Sequence, residues 1–249
     1  MKRRLLYVLV LTFFASTVFA QTGDLALHLF VVGSLPNGDF GKDVAANTQM
    51  TRRSGFNTGD IVGLAKSGFG CGAELISPVW FRGLNWVFST KILVNGVDGE
   101  AARAKFRSEL GDSVDLQFRY GQWLNIPVMT GFRYDHHFTH RYTLYGILQT
   151  GLNLSKAPSK MATVGEITAE DTKYEFARDF GFEVGLGFML NQTYNLEFRY
   201  LALSTPRYDG TRKLSEKVFP EIFSRKSAIL GEERSISMFI VTIGIQLFR

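Results

Sequence analysis

The chain holds one cysteine, Cys71, in 249 residues, so it forms no internal disulfide. Outside the N-terminal leader no stretch has 18 consecutive apolar residues, which excludes a membrane-spanning helix in the body of the chain. There is no G-x-S-x-G motif, and no nucleotide, haem or metal signature, so no cofactor is expected. Excess charge is also scarce. The formal net charge is +5, and three of the cations are Lys2, Arg3 and Arg4. Without them it falls to +2, so the pI near 9.3 is partly a property of the N-terminus. Nucleic acid is therefore not an expected partner.

Lys2-Arg3-Arg4 is followed by an apolar run from Leu5 to Phe14 and by Val18-Phe19-Ala20. Basic residues, a short apolar core and a small residue at the end make a secretory signal peptide. Residues 1–20 are assigned to it, with Gln21 as the new N-terminus and 21–249 as one β-barrel domain. No cysteine follows the cleavage site, which argues against a lipid anchor.

The remainder alternates apolar and polar residues in eight stretches: 24–35, 66–77, 84–95, 121–134, 141–153, 178–190, 193–204 and 235–248. One parity is apolar in each. The first has Leu25, Leu27, Leu29 and Val31 against His28, and the second Phe69, Cys71, Ala73 and Leu75 against Glu74. The sixth sets Phe180, Phe182, Val184, Leu186 and Phe188 against Glu183 and three glycines. The last sets Phe239, Val241, Ile243, Ile245 and Leu247 against Thr242, Gly244 and Gln246. Strands of ~9–11 residues are what a tilted barrel needs to cross a bilayer. The pattern predicts an all-β fold, an eight-stranded antiparallel up-and-down transmembrane barrel.

The charges Glu74, Lys91, Arg133, Glu183, Glu197 and Arg199 fall on the polar parity. A charge facing lipid near the midplane costs about 2–4 kcal/mol, which is avoided if this parity faces the lumen. Three glutamates then balance one lysine and two arginines. Eight strands leave a lumen that side chains fill. A lumen closed by an ion-paired polar network is therefore expected. A soluble lipocalin-like barrel is the competing geometry, but its outer face would carry more charge than this polar parity does. Connections 36–65, 96–120, 154–177 and 205–234 are long, and 78–83, 135–140 and 191–192 are short. Long loops outside the cell and short turns in the periplasm follow.

Several motifs resemble those of the outer-membrane β-barrel superfamily, which includes small PorT-like and OmpA/OmpX-like barrels. They are Leu35-Pro36-Asn37-Gly38-Asp39-Phe40, Trp123-Leu124-Asn125-Ile126-Pro127-Val128, and the C-terminal Gly244-x-x-Leu247-Phe248. The resemblance implies that Gly244, Leu247 and Phe248 form an assembly signal for the barrel-assembly machinery. The chain departs from the pattern in ending on Arg249 and in having no peptidoglycan-binding domain after the barrel. From the residues alone, Pro36 and Gly38 make a turn, and Pro127 belongs at an imperfect ladder position.

Asp135-His136-His137-Phe138-Thr139-His140 is the densest group of metal-ligand types, but its spacing fits no zinc motif and it reads as a polar turn. His28 is the one remaining histidine, and no catalytic set converges at the outer end, so no enzyme is expected. Glu100 to Leu110 has the pattern of a short surface helix, and Ser113 to Tyr120 alternates as an extension of the fourth strand would. Val218, Phe219, Ile222, Phe223, Ile229 and Leu230 pack on the barrel rim or on a partner. The expected role is structural or interactive, through the outer loops or within a secretion assembly. Outer-membrane lipid, the assembly machinery and an extracellular or envelope protein are the expected partners. The alternative is a small-solute or hydrophobic-ligand conduit like OmpW, which needs an apolar lumen or a lateral opening. A lipid-modifying enzyme is the remaining possibility.

Overall fold

Alternation with period two places successive side chains on opposite faces of a strand, and the chain uses this throughout. The computed structural model describes residues 25–41, 64–100, 116–165, 167–214 and 226–248. The expected signal peptide, the helix expected beyond Glu100, and Val218, Phe219, Ile222 and Phe223 lie outside them. Among the described residues the strands are β1 (Ala26–Pro36), β2 (Ala65–Pro78), β3 (Leu84–Val97), β4 (Leu116–Tyr120), β5 (Trp123–His137), β6 (Tyr142–Lys156), β7 (Lys160–Val164), β8 (Ile167–Tyr174), β9 (Phe176–Leu190), β10 (Tyr194–Ala202), β11 (Arg207–Leu214), β12 (Lys226–Glu233) and β13 (Ser237–Phe248).

Eight of them close an antiparallel barrel in the order β1-β13-β10-β9-β6-β5-β3-β2. These correspond to the eight expected stretches, with small shifts at their ends. The fourth is displaced most: it starts at Trp123 and runs on to His137, so Asp135, His136 and His137 belong to the strand and the turn begins at Phe138. Two devices written in the sequence set the local geometry. Asn191 and Gln192 have φ of 52° and 55°, the left-handed pair that a two-residue hairpin turn requires. The β3–β5 ladder is interrupted between Thr90↔Val128 and Leu93↔Asn125, where Pro127 has no amide hydrogen to give.

The apolar parity faces outward. Val31, Phe69, Leu148, Phe180, Leu186, Phe198 and Ile243 are all about 60–71% exposed. A continuous apolar belt of this size is an interface, and a barrel that turns it outward suits hydrocarbon.

The remaining five strands correct the expectation that 154–177 and 205–234 are loops. They form a second sheet in the order β12-β11-β8-β7-β4. Each continues a barrel strand: β4 leads into β5, β6 into β7, β8 into β9, β10 into β11 and β12 into β13. The sheet therefore repeats the wall's own order, β13-β10-β9-β6-β5, as a collar above it. Short breaks separate collar from wall at 121–122, 157–159, 175, 203–206 and 234–236. Backbone bonds bridge them, from Gly121 N to Ser159 O, Glu175 N to Asp209 O and Leu203 N to Ile236 O, each 2.8 Å. Pro158 and Pro206 stand in two of the breaks, where a missing donor costs no ladder bond. The alternation of 113–120 thus has its counterpart in β4, which extends β5.

Candidate functional site

The lumen is layered, and only part of it is polar. Toward the collar, Phe30, Val32, Leu93, Met129, Leu201, Met238 and Ile240 point inward and are buried. The motif after β1 lids this layer. Gly38 takes φ 56°, which turns the chain into a short 3-10 helix (Gly38–Phe40) and drops Phe40 inward. Its ring meets Trp123 edge-on at 5.2 Å, and Trp123 meets Tyr208 at 6.0 Å. The two family-like motifs are therefore packing partners. Beside the expected polar network the lumen therefore also carries apolar groups, which the parity reading did not name. The parity argument missed them because β1 is apolar on both faces near Phe30 and Val32.

Below it lies the charge layer. Arg199 from β10 sits among three carboxylates. Its Nη1 is 2.6 Å from Glu74 of β2 and 2.5 Å from Glu183 of β9, and its Nη2 pairs with Glu197. Lys91 Nζ of β3 stands 2.7 Å from Glu183. Glu197 accepts hydrogen bonds from Tyr145, Thr242 and Asn195. His28 Nδ1 lies 3.4 Å from Glu74. All these groups are buried. Glycines on neighbouring strands make the room: a Cβ at Gly187 would run into the Tyr145 ring. Charges taken out of water are tolerated only when paired and hydrogen-bonded.

Five of the six charged residues singled out from sequence meet here. Arg133 does not. It lies at the turn end of the lumen, where its Nε is 2.6 Å from Asp135 and its guanidinium stacks on the Tyr145 ring at 3.6 Å. Asn85 also donates to Asp135, at 3.0 Å. A cavity of about 80 Å³ opens beside Arg133, Asp135, His137 and Thr143. Sequence reasoning missed His28, Tyr145, Asn195 and Asp135 as partners. Their inward parity was the available signal.

His28, Glu74 and Glu197 bring ligand-type atoms within 4.8 Å of one another, the one such group among the described residues. Arg199 already binds both carboxylates, so a metal ion would sit against a guanidinium and does not fit. The histidines of 135–140 do not converge: His137 bonds Thr143 at 2.8 Å and His136 packs on Phe138. Of the C-terminal signal, Gly244 faces inward and Leu247 outward, and Phe248 pairs with Leu27 at the end of β13.

The collar's inner face is a second polar cluster. Lys160 lies 3.4 Å from Glu170, and Arg212 3.1 Å from Glu170. Burial pushes the Lys160 ammonium below its ordinary range, with Glu170 pulling it back. Burial, reinforced by Glu232, raises the Tyr174 phenol to about 12. Burial also raises Tyr120 and Tyr208.

No protein-family model matches the chain, and no curated protein does. Solved structures similar to it include Neisserial surface protein A, at 10% identity and TM-score 0.41, covering 90% of this chain and 97% of that one. Ail, the attachment invasion locus protein of Yersinia pestis, gives 9% and 0.42, with 91% and 100% covered. The outer membrane protein OprG from Pseudomonas aeruginosa gives 12% and 0.44, with 92% and 97% covered.

Proposed function

We propose that the protein is a non-conducting, non-enzymatic barrel of the outer membrane that acts through its collar, with the collar outside the cell and the short turns in the periplasm. The observation that carries the reading is the filled lumen. A carboxylate–guanidinium layer and an apolar layer stack across it, and Lys91, Glu74, Glu183 and Glu197 are each at most 1% exposed. An ion path would have to break several buried pairs at once. The outward apolar belt supports the membrane location. The collar, a five-stranded sheet that reaches past the belt, supports an interaction role toward an extracellular or envelope protein, including a part in a secretion assembly. The C-terminal Gly244, Leu247 and Phe248 support recognition by the barrel-assembly machinery. Planar-bilayer recording tests the closed lumen: the purified barrel should give no stable unitary steps, and regular steps would overturn the reading.

One observation favours a second reading, a conduit for apolar ligands. The collar half of the lumen carries Phe30, Leu93, Met129 and Leu201, uncharged side chains that stand there beside the neutral polar groups Ser34, Asn95, Asn125 and Asn153. Uptake of an apolar solute by cells expressing the barrel, without ion conductance, would support that reading instead.

A further inference from the structure

The charge layer is short of one positive charge. Glu183 lies between Lys91 and Arg199, and Glu197 meets Arg199 and three hydrogen-bond donors. Glu74 meets Arg199 and His28. Three carboxylates therefore face two permanent cations, because Arg133 is committed to Asp135 at the turn end. Net charge buried away from water is costly, so a third cation is called for.

Hydrogen bonding gives the same answer independently. A carboxylate only accepts, so the proton between His28 and Glu74 belongs to Nδ1. His28 Nε2 and Asn195 Oδ1 are both buried without a hydrogen-bond partner. Both lie within 2.7 Å of the point that a Cβ on Gly244 would occupy. The orientation of the Asn195 amide is fixed, because its Nδ2 donates to Glu197 at 3.0 Å. A lone pair on Nε2 would turn two acceptors toward each other. A proton there makes them complementary, directly or through one bridging water.

We propose that His28 is the third cation of the lumen, protonated on both ring nitrogens. The charged groups that face it are Glu74 from β2 and Glu197 from β10; Arg199 from β10, Lys91 from β3, Glu183 from β9 and Tyr145 from β6 meet those carboxylates or each other in the same layer. From β13 it meets Gly244, and it pairs in register with Gln246, neither of them charged. Gly244 thus has a place in the fold besides any part in assembly, since a side chain there would separate His28 from Asn195.

The test is ring nitrogen NMR on the full refolded barrel with labelled histidine, the His28 signals being assigned by their loss in His28→Gln. Both His28 nitrogens should be protonated at about pH 7. One protonated and one bare nitrogen would overturn the proposal. Glu74→Gln supplies a second readout should His28→Gln fail to fold. It balances two carboxylates with two cations, so His28 should become neutral at the same pH. An imidazolium that persists there would overturn the charge-balance argument.

Discussion

Lys91 Nζ and Glu183 Oε2 meet at 2.7 Å across the lumen, from β3 and β9, which are not neighbours in the wall. The contact ties opposite sides of the barrel together. Glu183 also holds Arg199, so one carboxylate bridges two cations.

Replacing that carboxylate should therefore be severe. Glu183→Leu leaves Lys91 without its partner and Arg199 with one fewer, and should cost about 3–5 kcal/mol. The unfolding midpoint in urea and the heat-modifiable gel mobility report it. Unchanged values would sink the network's structural role. Removing both partners together, as Lys91→Met with Glu183→Met, should cost less than Glu183→Leu, because no cation is then left without a carboxylate at that position.

Gly187 offers a packing test free of charge effects. Alanine there drives a methyl into the Tyr145 ring, which is itself held between Arg133 and Glu197. A loss of about 1–3 kcal/mol is expected. Gly33, where a Cβ meets nothing within 4 Å, is the control, and Gly33→Ala should leave the midpoint nearly unchanged.

The collar should come apart in base before the barrel does. Tyr174 ionises near 12 in the folded collar and near 10 in an unfolded chain. A raised folded value stabilises fully below the unfolded one, and the contribution is lost as pH climbs from about 10 through 12. Protease accessibility of the collar over that window, compared with Tyr174→Phe, reads the effect. Identical profiles would refute it.

Topology is the fourth test. In a Cys71→Ser background, Lys173→Cys on the collar should react with an impermeant maleimide on intact cells, and Thr139→Cys in the turn should not. Both parent side chains are exposed, so reagent access depends on the membrane alone. The opposite pattern would invert the orientation.

The barrel was legible in the sequence because lipid imposes a rule on every second residue. That rule placed Leu186 and Phe198 outside and Glu183 and Arg199 inside. It has no hold beyond the membrane. The strands Lys160–Val164 and Lys226–Glu233 are short and mix charges with apolar groups, so their pairing is specified by the wall below them rather than by their own pattern. Partner choice inside the lumen was equally hidden. Arg133 and Glu197 share a parity, but their heights along the axis depend on register and strand tilt. These send Arg133 to Asp135 and leave the third positive position to His28. The apolar layer escaped because alternation cannot be read where both parities are apolar, as at Leu29-Phe30-Val31-Val32.

A barrel of eight similar staves looks much alike from every side to the lipid around it. The collar removes that equivalence. Among the described residues it rises from five adjacent staves, β13, β10, β9, β6 and β5, so this sheet has a bearing around the barrel axis. Whatever meets the sheet meets it over those five staves. A wall built to be uniform thus acquires a front without any change to the part that the bilayer sees.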